Sequence, residues 1–365
     1  MKIYGLLKYF LIGLFLFFVR CSNNSGEKSD IIIGVKIYNY GEDLNGLFEE
    51  WDQIGINTVF TSEELFTRKG FRSNAEKFKI KTFIITPVFF DSEFLAENSE
   101  YYAVTDKGER AIDDWVEFVC PSREDYRKQK IESIKRIVKD LDPDGISIDF
   151  IRHFVFWEMV YPERTLSSLD NTCFDSICLN RFQLETNFEL PVTLNSEQEK
   201  AIWIRENKLD SWIDWKCGLI TGMIEEIVSE VKKIKPDILI NTHIVPWREN
   251  DFEGAIKNIA GQDIRRIEPI VDYLSPMTYV HMVKQDPEWV NSVVSDFYKQ
   301  TNGNILPSIQ VKEAYLNDTL TISEFEKTLR SALKPPSKGV VFWSWEQFDI
   351  DVEKKELVKM ILNSL

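Results

Sequence analysis

The feature that most constrains this chain is a repeated alternation of short apolar runs with amphipathic stretches. Eight β-branched or aromatic runs recur: IIIGVKIYN (31–39), INTVFTS (56–62), IKTFIITPVFF (80–90), DGISIDF (144–150), DILINTHIV (237–245), VDYLSPMTY (271–279), NILPSIQV (304–311) and KGVVFWSWE (338–346). Between them lie segments such as LNGLFEEWDQI, REDYRKQKIESIKRIVKDL and LITGMIEEIVSEVKKI, whose apolar residues recur at helical spacing. Turn signals DLDPDG, KIKPD and LKPPSKG lead from several of these into the next run. Eight strands alternating with helices predict an α/β fold, a parallel (β/α)8 TIM barrel. A doubly wound sheet is the alternative, but no glycine-rich phosphate loop follows the first run.

Two connections are too long for a bare barrel. Residues 91–122 follow the third run, and about 60 residues, including RFQLETNFELP and AIWIRENKLDSWIDWK, separate the fourth from a helix over 218–234. Both read as elaborated loops over the barrel mouth, where barrel enzymes keep their function. Ahead of the barrel, Lys2 and Lys8, the apolar run Tyr9–Val19, then Arg20-Cys21 and a polar tail read as an export signal. Cys21 resembles the lipidated cysteine of a bacterial lipoprotein. The expected organisation is therefore a signal over 1–21, a flexible tether over 22–30 and one barrel domain over 31–365. The expected location is the cell envelope, periplasmic or surface, with a lipid anchor on Cys21 as the membrane partner.

The net charge of -15, with no basic block, argues against nucleic acid as a partner. Beyond Cys21 the cysteines are Cys120, Cys173, Cys178 and Cys217. In an oxidising compartment they would form disulfides, or else remain as buried thiols; Cys173-x4-Cys178 is loosely spaced for zinc, and no metal or other cofactor is expected.

Strand parity singles out the fourth run. Gly145, Ser147 and Asp149 would face the interior while Ile146, Ile148 and Phe150 pack on helices. Asp149 then sits at the C-terminal rim, above small residues that leave room for a pocket, with Arg152 near enough to pair with it. His153, His243 and His281 each fall at or just past a strand end. They suit substrate hydrogen bonding; a metal site is the weaker reading, since no H-x-x-H spacing occurs. Further rim carboxylates are Glu63, Glu64, Asp113, Asp114, Glu158, Glu313 and Glu346, and parity would put Glu346 on one face with Phe342 and Ser344. Glycoside hydrolysis needs two carboxyl groups, so Asp149 with Glu346 or Glu158 is the expected catalytic set. Trp115, Trp157, Trp247, Tyr279, Trp343 and Trp345 cluster at strand ends, where rings could stack on sugar faces beside polar groups such as Gln310. Trp203, Trp212 and Trp215, at helical spacing, read as core.

These motifs carry a resemblance. DPDGISIDFIRH resembles the fourth-strand motif of a group of (β/α)8 glycosyl hydrolases described as family 10-like. DDWVEFVCPSREDYRKQKIESIKRIVKDLDPD, VDYLSPMTY and GVVFWSWEQF resemble that group's lead into strand four, its sixth strand and its eighth. TCFDSICLNRF is similar to a cysteine-rich segment of related barrels, with Asp175 at a cysteine position. The chitinases of glycoside hydrolase family 18 are a more distant likeness, with Ile151 where their catalytic glutamate stands. The resemblance implies a carbohydrate substrate and a catalytic role for Asp149. The rival readings are a glycan-binding surface lipoprotein without catalysis and a metal-dependent hydrolase or deacetylase.

Overall fold

The computed structural model describes residues 31–364. The signal and the lipidation expected at Cys21 lie outside them. From Ile32 onward the chain forms one compact unit, built on eight parallel strands: β1 (Ile32–Ile37), β2 (Thr58–Thr61), β3 (Lys81–Pro87), β4 (Gly145–Asp149), β5 (Leu239–Ile244), β6 (Tyr273–Pro276), β7 (Ser308–Gln310) and β8 (Gly339–Trp343). Neighbours in sequence pair in parallel from β1 to β6, and β8 joins β1 to β7. The remaining seam, β6 to β7, is held by the single bridges Leu274↔Ile305 and Met277↔Ser308. The result is a nearly closed TIM barrel, as the alternation predicts.

Each helix forms for local reasons. Leu44–Ile54 starts where the Asp43 carboxylate accepts from the Asn45 and Gly46 N–H groups. It buries Leu44, Leu47, Phe48, Trp51 and Ile54, one helical stripe, and stops at Gly55 with φ 95°. The long helix after the fourth connection begins at Leu209, earlier than the pattern suggests, and runs to Ile234. The tryptophan-rich segment is split at Lys208 between this helix and Glu197–Asn207. Trp212 and Trp215 are buried, and Trp203 is half-buried, stacked on Phe188.

The lower barrel interior is filled, not open. Phe60 stacks on Phe83 at 4.8 Å in a cluster with Ile85, Leu306 and Val341. Gly34 and Gly145 face these rings, and a Cβ on Gly145 would lie 2.3 Å from Phe83 Cε1 and 2.7 Å from the Leu239 carbonyl oxygen. The glycine in β4 thus admits a phenylalanine rather than leaving space beneath a pocket. Gly145→Ala is expected to cost about 1–3 kcal/mol, because the carbonyl cannot move aside. Urea denaturation checks this, and an unchanged midpoint would contradict the packing argument.

The elaborated loops are structured. The third connection carries a helix (Ser92–Glu97) and a two-stranded hairpin, Ile112–Asp113 against Val116–Glu117, that the sequence pattern does not signal. The fourth carries Ser176–Thr186, capped by Asp175, and Glu197–Asn207.

Candidate active site

A cavity of about 320 Å³ opens at the C-terminal strand ends, within reach of the ~300–1,000 Å³ common for ligand sites. Lys36 and Tyr38 line it from β1 and just beyond, Asp149 and Phe150 from the end of β4, and Arg152, Trp157 and Glu158 from the connection that follows. Phe90 and Trp115 from the connection after β3, Tyr279 and Tyr315 from those after β6 and β7, and Trp343 from the end of β8 add rings.

Asp149 is buried, 8% exposed, and its surroundings explain how it stays ionised. Its Oδ2 lies 3.0 Å from His243 Nδ1 at ion-pair distance, without the alignment of a full hydrogen bond. Its Oδ1 accepts from the Phe150 N–H at 2.7 Å. Burial pushes the carboxyl up, but His243, the Lys36 ammonium and that N–H outweigh burial and hold it well below the usual carboxylate range. Burial in turn pushes His243 down, against the pull of Asp149, so a neutral imidazole faces the carboxylate at neutral pH. Lys36 is pushed by burial to about 8, with Asp149 opposing, and its Nζ donates to Tyr279 Oη at 3.2 Å.

Ser147 has a use that parity alone does not reveal. Its hydroxyl lies 3.0 Å from His243 Nε2 and accepts from Asn241 Nδ2 at 2.8 Å. When Ser147 donates to Nε2 while accepting from Asn241, the imidazole proton sits on Nδ1 and faces Asp149. Gln262, on the connection after β5, completes the support: it donates to the Ile151 and His243 carbonyls, both at 3.1 Å, and accepts from the Val245 N–H at 3.0 Å. Ser147→Ala is expected to lower stability by about 1–2 kcal/mol and to lower kcat more than it raises KM, since it frees the imidazole behind Asp149. Steady-state kinetics with a denaturation curve checks both.

Glu158 is the other buried carboxyl of the cavity, 8% exposed. Burial pushes it up to about 7, and the charge of Asp149 adds to this while Arg152 opposes it. Arg152 stands 5.0 Å from the ring centres of Phe118 and Phe150 and donates to the Val155 carbonyl at 3.3 Å. Among the described residues it forms no ion pair with Asp149; the His243 imidazole lies against that carboxylate instead. Arg152 Nε, Trp157 Nε1 and Glu158 Oε2 are buried without a protein partner.

Phe150 departs from the expected alternation. With φ 48° it leaves the extended conformation, so its ring joins the cavity wall and stacks on Phe90 at 4.7 Å instead of packing on helices. Left-handed backbone at a phenylalanine costs roughly 1–3 kcal/mol and concentrates at functional sites. Tyr279 stacks on Trp343 at 4.7 Å, and Trp115 Nε1 donates to Tyr315 Oη at 2.8 Å across the rim.

Several expected site residues lie elsewhere. β8 ends at Trp343, and Ser344 opens the short helix Trp345–Phe348, so parity does not carry to Glu346. Phe342 faces outward onto Phe348, and Trp343 faces the cavity. Glu346 accepts from the Tyr38 and Asn39 N–H groups at 2.6 and 2.9 Å, positioning the cavity residue Tyr38 rather than lining the cavity itself. Trp345 is core, edge-on to Trp51. His153 is fully buried against the Lys216 carbonyl at 3.3 Å. His281 contacts Glu324 Oε1 at 3.0 Å and the Asp318 carbonyl at 2.9 Å. The three histidines therefore do not converge as metal ligands. Trp247 packs on Phe252 beside a different depression. Gln310 accepts from the Met282 N–H at 2.8 Å and donates to the Lys312 carbonyl at 2.9 Å, bracing the wall. Lys36, Tyr38, Tyr315 and Gln262 were not anticipated. For the first two the signal was present, since Gly34, Lys36 and Tyr38 share the inward parity of β1.

No family model and no curated protein matches this sequence. Among solved structures it is similar to the PgaB (BpsB) glycoside hydrolase domain from Bordetella bronchiseptica, with TM-score 0.69 and 12% identity over 90% of this chain and 98% of that domain. It is also similar to a β-galactosidase from the psychrophilic Marinomonas ef1, with TM-score 0.69 and 11% identity over 91% of this chain, which spans 59% of that enzyme. For α-L-fucosidase isoenzyme 2 from Paenibacillus thiaminolyticus the TM-score is 0.58 and the identity 12%, over 92% of this chain and 49% of the other. At these identities the property shared with these three proteins is the barrel fold.

Proposed function

We propose that this protein is an exported glycoside hydrolase acting on an oligo- or polysaccharide. The observation that supports it most is an aromatic-walled cavity at the barrel's C-terminal face holding two buried carboxyls, Asp149 and Glu158, in environments that push their protonation in opposite directions. Near neutral pH a substantial share of Glu158 is protonated and can donate to the departing glycosidic oxygen. Asp149 is ionised and faces the site as nucleophile or as base toward water, and either role requires the charge that Lys36 and the Phe150 N–H maintain. Trp343, Tyr279, Trp157 and Trp115 offer ring faces to sugar C–H surfaces, with the unpartnered Arg152 and Trp157 N–H groups beside them.

The fourth-strand resemblance to the family 10-like barrels supports the role of Asp149, and the glycosidase neighbours support the reaction class. Export and an envelope location, with Cys21 as the lipidated residue, rest on the pattern over residues 1–21. The test is release of new reducing ends from a panel of neutral, acidic and basic glycans by the purified barrel. A protein that binds one of these glycans and releases nothing would instead be a glycan-binding surface protein.

A further inference from the structure

Away from the cavity, Cys120, Cys173, Asp175 and Cys178 come together in one buried cluster. One potential ligand atom from each lies within 4.8 Å of every other. The three thiols are fully buried and Asp175 is 6% exposed. Cys120 Sγ is 3.2 Å from Cys178 Sγ, and Cys173 Sγ is 2.9 Å from Asp175 Oδ2. None of these cysteines is in a disulfide; of the two expected states, they are buried thiols. A tetrahedral zinc with bonds of about 2.3 Å to sulfur has ligand atoms roughly 3.8 Å apart along each edge, so the four donors already span the volume such a site needs.

We propose that this cluster is a structural zinc site with a Cys3Asp ligand set. The surroundings fit that role. Asp175 divides its carboxylate: Oδ1 accepts from the Ile177 and Cys178 N–H groups at the helix start, at 2.8 and 2.9 Å, which leaves Oδ2 turned toward the sulfurs. Cys178 lies in the first turn of that helix, where a thiolate is favoured. The Val104 N–H donates to Cys173 Sγ at 3.1 Å, and Ser122 Oγ lies 3.0 Å from Cys178 Sγ, the outer contacts that orient thiolate ligands. Four protein donors close the coordination shell, so the ion has no open position for catalysis. What it does is fasten. Cys120 ends the connection after β3, and the other three ligands belong to the connection after β4. The zinc would pin together the two elaborated loops, both of which contribute walls to the cavity. Binding displaces the thiol protons to solvent as the sulfurs coordinate.

The test is metal analysis of the full-length protein purified without chelator, with zinc release followed on thiol modification. About one zinc per chain is expected, falling at least tenfold in Cys173→Ser and Cys178→Ser. Cobalt replacing zinc in the wild type should give thiolate-to-metal charge-transfer bands with tetrahedral d–d bands, a readout that needs no variant to fold. Asp175→Cys should keep the ion and shift those bands. Wild-type protein that takes up neither zinc nor cobalt stoichiometrically would overturn the proposal, as would a Cys120–Cys178 disulfide found by non-reducing peptide mapping. Neither outcome depends on glycan cleavage.

Discussion

Asp149→Asn is expected to lower kcat on the cognate glycan by about 10³-fold or more while leaving KM within a few fold. The replacement keeps the size of the side chain and its contact with the Phe150 N–H but removes the only carboxylate of the cavity that is held ionised. General acid–base and nucleophilic groups typically account for 10²–10⁴-fold each. Stability should respond too. The folded pKa of Asp149 lies below its ordinary 3.8, so its charge stabilises the fold above that pH and the contribution is lost as pH falls through and below it. The variant at neutral pH also leaves the buried Lys36 without its counter-charge, and its melting temperature should drop relative to wild type. A variant retaining more than a tenth of wild-type turnover would remove Asp149 from the chemistry.

How much of this was legible beforehand follows from the range over which each signal acts. All eight barrel strands were visible because period-two and period-3.6 patterns are local. Asp149 was visible because strand parity and a strand end fix where its side chain goes. Parity failed at the two places where the backbone stops being a strand: at Phe150, which turns into the left-handed region, and at Ser344, where a helix begins and takes Glu346 with it. His243 was visible, but its partners were not. Ser147 looked like a spacer, and Gln262 sits on a connection whose position the sequence does not state. The cysteine cluster was hidden for the same reason, since Cys120 reaches Cys178 from another connection, more than 50 residues away in sequence.

Glu158→Gln separates catalysis from stability. Glutamine keeps the shape of the protonated acid but cannot release a proton. Turnover should fall by about 10²-fold or more on natural glycosides, and much less on aryl glycosides whose leaving group needs no protonation. In the wild type, kcat should decline as pH rises through about 7, where Glu158 loses its proton; the variant should lack that limb. The stability effect has the opposite sign. The folded pKa of about 7 stands above the ordinary 4.5, so the native state holds its proton longer than the unfolded chain. Stability is then full at low pH and falls as pH rises between these values, by up to about 3 kcal/mol above pH 7. The glutamine variant escapes this loss. Its melting temperature should match the wild type near pH 4 and exceed it by several degrees at pH 8.5. A difference that stays constant across this range would mean that Glu158 is already ionised in the folded protein and cannot be the acid. A difference that widens with pH, together with the lost alkaline limb, would tie the acid's reactivity to the burial that destabilises it, because the same desolvation keeps the proton on Glu158 until the glycosidic oxygen can take it.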